Sequence, residues 1–411
     1  MRWLYTIIIS LYGLGIRAAS PFNHKAALWV KGRKKSVVPA RHFTVDQRVA
    51  WFHCASLGEF EQGRPVLEAF KDEHPDYRIL LTFFSPSGYE IRKNYDRADL
   101  VTYLPLDTPG KMKAFLDAFH PAIVFFVKYE FWFNCLYILR NRKIPVIVLS
   151  AHFRPSQHFF RAYGGWFRKQ LRQLTHFFVQ DEVSWQLLQS IGVKDVTISG
   201  DTRFDRVGSI AGQPGRFPGI SPWGSGKSVI LAGSTWPQDE SLLFPLFRKL
   251  AGGSRFIIAP HEVDNERIMQ IHKDCGLKSQ SLSVFLQNPD PGADLLVVDS
   301  IGQLSGLYRY AGIAYIGGGF GKGIHNILEA ATFGIPVVFG PKFGKFREAR
   351  ELAAAGGAYP IRDRESLEEV MNRLLNNESL RAESGNTARD YVEKNLGATR
   401  LILSGIKKYL Q

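Results

Sequence analysis

Two carboxylates stand where apolar runs stop. Residues 50–60 read AWFHCASLGEF, with Glu59 just past the run, and residues 125–134 read FFVKYEFWFN, with Glu130 in the matching place. A carboxylate at the rim of a sheet can take a proton from an attacking hydroxyl. Glu59 fits a first helical turn equally well, where acidic side chains complement the helix dipole. Ser56 and Gly58 flank Glu59, Trp132 and Asn134 follow Glu130, and all four are candidate contacts for an acceptor.

The densest constellation is IGGGFGKGIHNILEA, residues 316–330. Gly318 and Gly319 let the backbone approach a ligand closely, and a helix expected to open near Ile324 offers unpaired N–H groups to a phosphate. Lys322 adds a cation. His325 and Glu329, four apart, are expected on one helix face, with Asn326, Ile327 and Leu328 between them, and Glu329 suits ribose hydroxyls. AGSTW at 232–236 brings Ser234 and Thr235, APHE at 259–262 brings Pro260 and His261, and DSIGQL at 299–304 offers the backbone of Ile301, Gly302 and Gln303 to a base edge. The first two also read as ordinary turns. Together the stretches indicate a nucleotide without saying which. Residues 153–178 hold five Lys/Arg, no Asp or Glu and eight aromatics. Arg154, Arg161 and Arg168 are candidate contacts for an anionic amphiphile, the alternative being a basic helix packed by its aromatics.

These residues need rigid elements behind them. Apolar runs at 49–56, 77–85, 100–106, 122–127, 144–150, 176–180 and 196–200 alternate with helical stretches, and a second series runs at 228–234, 255–260, 294–300, 311–318 and 335–340. That pattern predicts parallel sheets covered on both faces. A segment rich in Gly, Pro and Ser at 206–227 reads as a linker, including GSGKS at 224–228, which precedes a strand and so cannot act as a P-loop. The expectation is an α/β chain of two Rossmann-like, doubly wound domains, 36–205 for the acceptor and 228–395 for the nucleotide sugar, facing a cleft, with 396–411 crossing back onto the first.

The chain has 411 residues and a net charge of +14, and its first 50 residues hold nine Lys/Arg against Asp46 alone. Within residues 1–35 an uncharged run, Trp3 to Ile16, is shorter than the ~20 residues of a spanning helix. An anchor lying on anionic lipid fits this segment, with a helix packed on the protein's own core as the alternative. No nucleic-acid motif accompanies the charge. Three scattered cysteines make neither a disulfide framework nor a zinc site, and no metal or cofactor motif stands out.

S-x-G-E (56–59), Y-E-F-W-F-N (129–134), G-S-T (233–235), I-G-Q-L (301–304) and G-G…H-N-x-L-E-A (317–330), in this order over nearly the whole chain, resemble the Kdo (3-deoxy-D-manno-octulosonic acid) transferases of the WaaA/KdtA type. The resemblance implies a GT-B fold on the cytoplasmic face of the bacterial inner membrane, transferring Kdo from CMP-Kdo to lipid IVA in lipopolysaccharide assembly with inversion and without a metal. It makes Glu59 the general base and Glu130 the second acidic position, and it assigns CMP to His261, the 301–303 backbone and Asn326 to Glu329. Departures from the family pattern stand at Lys128, Trp236, Ala259, Gln303 and Ile324. They leave Lys322, Arg203 and Arg267 as candidates to meet the donor's phosphate and carboxylate. The rival readings are a UDP-sugar transferase or epimerase on the same fold, and a membrane-surface binding protein.

Overall fold

The computed structural model describes residues 1–35, 43–213, 217 and 219–410. Clustering of contacts divides them into two α/β units, one of Met1–Arg206 with the residues from Gly397 onward, the other Val207–Leu396.

The first unit is a parallel sheet of β1 (Arg48–Cys54), β2 (Tyr77–Phe83), β3 (Leu100–Tyr103), β4 (Pro121–Val127), β5 (Val146–Ala151), β6 (His176–Val179) and β7 (Val196–Ile198), in the order β3-β2-β1-β4-β5-β6-β7. Side chains alternate across each strand, so Trp51, Leu80, Val124 and Phe126 enter one core while Phe52, Ile79, Leu81 and Phe125 enter the other. Both faces are dry, which is why the strands read as unbroken apolar runs. The closing helix Ala398–Ile406 puts Ile402, Leu403 and Ile406 into the second of these cores. Asp205 fixes its start by accepting from Gly397 N and Thr399 N, both at 2.6 Å.

The second unit holds β8 (Ser228–Thr235), β9 (Ser254–Pro260), β10 (Ser279–Ser281), β11 (Leu295–Val297), β12 (Ile313–Ile316), β13 (Val337–Phe339) and β14 (Ala358–Pro360), ordered β10-β11-β9-β8-β12-β13-β14 and again parallel. The two edge strands β10 and β14 fall outside the apolar runs of the sequence. In both sheets the order reverses direction beside the first strand, between β1 and β4 and between β8 and β12. Ligands of open α/β sheets bind at the carboxyl ends of the strands at that point.

The expected linker at 206–227 takes a different form where it is described. A helix, Thr202–Ala211, runs straight through the boundary, and Ile220 and Trp223 are buried in the second unit, the Trp223 indole donating to Ala293 O at 2.8 Å. Composition suggested flexibility, but the apolar residues interspersed among the glycines and prolines are buried against the second unit.

One side of the N-terminal segment packs on the protein's own core. The helix α1 (Arg2–Ala19) meets the helix α2 (His24–Lys35), and both pack on the first unit. Tyr5 OH donates to Asp107 Oδ2 at 2.7 Å, and a Cβ on Gly13 would lie 2.6 Å from Leu106. The other side of α1 leaves Trp3, Leu4, Ile7, Ile8, Leu11 and Leu14 exposed. Among the described residues no single helix is long and apolar enough to cross a membrane, although α1 and α2 together pass that test as a pair bent by 116°.

Asp107 is buried and its carboxylate also accepts from Asn134 N and Cys135 N, so it caps the helix Phe133–Asn141. Burial pushes its carboxyl up to about 6 despite those donors. Replacing Tyr5 by Phe deprives this buried group of one hydrogen bond and is expected to cost about 1–3 kcal/mol of unfolding free energy. Urea unfolding of the full chain measures it, and an unchanged midpoint would show that α1 does not brace the first unit through this contact.

Candidate active site

Strand β1 delivers Ser56 to the N-cap of the helix α3 (Leu57–Glu73), and Glu59 lies in the first turn of α3. Its carboxylate turns back to accept from Ala55 N at 2.5 Å. Glu130 follows β4, the neighbouring strand across the reversal point, so both strand-end carboxylates belong to one site. Burial first, and then the negative charge of Glu130, raise the Glu59 carboxyl to about 7 against the opposing effect of backbone N–H donors and Lys128. The helix dipole and the Ala55 bond do not win, and the group is poised between acid and base at neutral pH. A Cβ at Gly58 would have nothing within 4 Å, so this fold does not itself require glycine there.

Sequence reasoning missed what holds Glu130. His53, fully buried inside β1, lies with Nε2 at 3.3 Å from Glu130 Oε2 and with Nδ1 at 2.8 Å from Thr82 Oγ1 on β2. Trp51 Nε1 donates to the same Thr82 hydroxyl at 2.8 Å, and Trp132 Nε1 donates to Glu130 Oε2 at 3.0 Å. The signal available was a histidine in an otherwise apolar run, one strand away from a carboxylate. Lys128, between β4 and Glu130, has a φ of 63°, a conformation that side chains rarely adopt.

Of the acceptor contacts expected beside these carboxylates, Ser56 is half-buried at the N-cap and makes no capping bond with its side chain. Trp132 binds Glu130 as described. Asn134 does not belong with them: it is buried, its amide donating to Asp107 O at 2.8 Å and Thr6 Oγ1 at 3.0 Å, so it fastens α1 to the first unit. Arg168 is also spent structurally, donating to Phe159 O, Arg161 O and Ala162 O. Arg154 and Arg161 are exposed, Arg161 Nε reaching Ser156 O at 3.4 Å. Of the aromatics of this stretch, Phe153, Phe159 and Phe177 lie in one core of the first unit and Phe178 in the other, while Tyr163 is exposed. That stretch is a basic helix and loop packed largely by its aromatics.

In the second unit the site again sits at the reversal point. After β12, Gly318 takes a φ of 90°, and a Cβ on Gly319 would lie 2.6 Å from the Gly340 backbone, so both must be glycine. Buried Asp239 pins this turn by accepting from Gly318 N at 2.9 Å, Tyr315 OH at 2.8 Å and Trp236 N at 2.9 Å. The helix expected from Ile324 begins only at Leu328 and lasts to Ala331. His325 therefore precedes it and shares no helix face with Glu329, and one turn offers little dipole to a phosphate. Asn326 caps it instead, accepting from Leu328 N at 3.1 Å and donating to Glu329 Oε1 at 3.2 Å, while Ile327 and Leu328 are buried.

Three rings meet here. Trp236 stacks on His261 with centroids 4.6 Å apart, and His261 stacks on His325 at 4.4 Å. Trp236 Nε1 donates to His325 Nε2 at 3.2 Å. Burial, with His261 beside it, lowers the His325 imidazolium to about 4, so His325 is a neutral acceptor. The tryptophan that departs from the family pattern is thus part of the site. Thr235 is buried and donates to Glu240 Oε1 at 2.8 Å, leaving half-buried Ser234, with a φ of 54°, at the end of β8. Pro260 ends β9, and His261 N donates to Thr235 O at 2.9 Å.

Ile301 and Gly302 are exposed, and Gln303 caps the turn Leu304–Leu307. Gln303 Oε1 and Ser300 Oγ are buried without a partner among the described residues. Of the three candidate cations, Arg267 is paired with Glu240 and Arg203, in the first unit, with Asp201, whereas Lys322 is exposed in the glycine turn. Among the described residues no group of three or more His, Cys, Asp or Glu side chains is arranged to hold a metal ion.

A family model for 3-deoxy-D-manno-octulosonic-acid transferase (kdotransferase) matches residues 30–206. The chain is 29% identical over 333 residues to the 3-deoxy-D-manno-octulosonic acid transferase of Aquifex aeolicus, covering 79% of this chain and 85% of that protein. It is 26% identical over 434 residues to the protein of the same name from Bordetella pertussis, covering 97% and 99%. Among solved structures, a putative UDP-N-acetylglucosamine 2-epimerase from Listeria monocytogenes superposes with a TM-score of 0.62 at 14% identity, covering 88% of this chain and 96% of that one. That likeness is one of fold.

Proposed function

We propose that this chain, similar over most of its length to Kdo transferases, transfers Kdo from CMP-Kdo to a hydroxyl of lipid IVA, working against the cytoplasmic face of the inner membrane. The observation that carries the reading is the pair of strand-end carboxylates, with Glu59 raised to about 7. As the acceptor oxygen bonds to the anomeric carbon, its proton passes to Glu59. The bond from that carbon to the phosphate oxygen breaks on the opposite face, and CMP leaves with the electron pair. Glu130, held by Trp132 and beside His53, keeps a second negative charge near Glu59 and so sustains its basicity.

For the donor, Lys322 in the glycine turn suits the phosphate. The backbone at 301–303 suits a base edge, and Gln303 Oε1, lacking a partner among the described residues, suits an amino group. His261 and His325 in their ring stack, Asn326 and Glu329 complete the set. The exposed apolar side of α1 and its flanking cations support contact with anionic lipid. The epimerase reading shares the fold but draws on 14% identity, whereas the relatives aligned over most of the chain are Kdo transferases.

Purified full-length protein with CMP-Kdo and lipid IVA is expected to yield product heavier by one or more Kdo units in mass spectrometry. Turnover is expected to persist in excess EDTA, since the leaving group carries a single phosphate that a lysine can meet. Consumption of a UDP-sugar with CMP-Kdo untouched would overturn the proposal, and loss of turnover on chelation with recovery on adding magnesium would overturn its leaving-group half.

A further inference from the structure

A cavity of about 420 Å³ lies between α1, α2 and the segment around Leu106, lined by Trp29, Arg17, Arg33, Lys34 and Lys111 among others. Among the described residues its lining contains four cations and no carboxylate. Two of its donors are unsatisfied. Trp29 is 7% exposed, and its indole Nε1 has no partner among the described residues. Arg33 lies with its guanidinium 3.7 Å above the Trp29 ring, donates from Nε to Leu104 O at 3.1 Å and from Nη2 to Phe84 O at 2.8 Å, and leaves Nη1 without a partner among the described residues. Burial pushes this guanidinium down to about 9. Lys111 is held low by burial and by repulsion from Arg17 and Arg33. A fold does not gain by gathering uncompensated cations and unpaired donors in one hollow, because each unmet buried donor costs free energy. An anion with several acceptor oxygens removes every one of these penalties at once.

We propose that this cavity binds a phosphate group carried on a lipid, its oxygens accepting from Trp29 Nε1 and Arg33 Nη1 and facing Arg17, Lys34 and Lys111. The lipid part is indicated by position. Leu14 on the wall continues into the exposed stripe Leu11, Ile8, Ile7, Leu4 and Trp3 of α1, a track for apolar chains beside a cationic hollow. On the opposite side Phe84 connects the cavity to the catalytic carboxylates. Its ring centroid is 5.9 Å from that of Trp29 and 4.6 Å from that of Trp132, which donates to Glu130. A run of three contacting rings, Trp29, Phe84 and Trp132, thus links a phosphate seated here to Glu130. The inference rests on the proposed reading of a lipid acceptor at a membrane surface, and it leaves two sources for the phosphate, the acceptor itself and a bilayer phospholipid.

The test uses the full chain without donor, titrated with monomeric dihexanoyl phosphatidic acid. Trp29→Phe removes one orphaned donor and keeps the ring, and the pair Arg17→Gln with Lys111→Gln removes two cations near the rim. The pair is expected to weaken binding about tenfold or more, and Trp29→Phe severalfold. Lys113→Gln, on the same helix as Lys111 but paired with Asp117 and outside the cavity, is the charge-matched control and is expected to bind like wild type. A rise in KM for lipid IVA with kcat kept, in detergent free of phospholipid, assigns the phosphate to the acceptor. Loss of sedimentation with phosphatidic acid vesicles at unchanged KM assigns it to the bilayer. Unchanged binding in both cavity variants, or an equal loss in Lys113→Gln, overturns the site. Because binding is read without turnover, such a result leaves the glycosyl transfer proposal standing, and a chain that binds the probe but transfers no Kdo fails the other way.

Discussion

Glu59→Gln is expected to lower turnover at least ~100-fold, the lower end of what a positioned general base contributes, while melting temperature and CMP-Kdo affinity stay close to wild type. Glutamine keeps the size of the side chain and an oxygen to accept from Ala55 N, so the turn between β1 and α3 has no reason to move. What it lacks is a site for the acceptor's proton. The competing account of Glu59, a carboxylate placed in a first helical turn for the dipole, predicts a loss of roughly 0.3–1 kcal/mol of stability with turnover kept. The structure already argues against it, because a carboxylate placed to exploit the dipole is held below its ordinary pKa, whereas this one is raised to about 7, chiefly by burial. Kinetics and a thermal melt on one preparation separate the two accounts. A variant that transfers Kdo at near wild-type rate would end the general-base assignment and move it to Glu130.

What the sequence conveyed about this site follows from how each feature is encoded. The long central strands carry their burial in their own composition, and both carboxylates were legible because an acidic residue after such a run interrupts a strong pattern. The edge strands β10, reading SQS, and β14, reading AYP, are three residues each and half-solvated, so no period could announce them. The misassigned residues share a different cause. Asn134 is buried by partners at Thr6 and Asp107, Arg267 is claimed by Glu240, and Arg168 by carbonyls of its own loop. Nothing local in the sequence distinguishes such a committed side chain from one waiting for substrate. His53 shows the converse. Inside β1 it passes for a core residue, and its place beside Glu130 emerges only when β1 and β4 become neighbours. The short helix at 328–331 was overread for a related reason, since a glycine-rich turn can be prolonged by irregular backbone as readily as by helix.

The pH dependence of single-turnover transfer is expected to report Glu59 directly. With its carboxyl at about 7, the fraction able to accept a proton falls tenfold for each pH unit below that value. Transfer at pH 5 is therefore expected about 100-fold below the plateau reached above pH 8. The sign follows from the role, because a base must be deprotonated to act, so lowering the pH removes activity. An ordinary glutamate would keep the rate nearly level down to about pH 5. The cause of the shift supplies a second measurement on the same axis. Part of the elevation comes from the negative charge of Glu130, so Glu130→Gln is expected to move the midpoint of whatever activity remains to lower pH, whereas Lys128→Met, which removes a positive charge that lowers the Glu59 carboxyl, is expected to move it up. Opposite displacements from two neighbours of opposite charge are difficult to produce by damage to the fold, which would depress the rate at every pH alike. A profile flat between pH 5.5 and 8, or a midpoint that neither variant moves, would mean that the proton of the acceptor hydroxyl goes elsewhere.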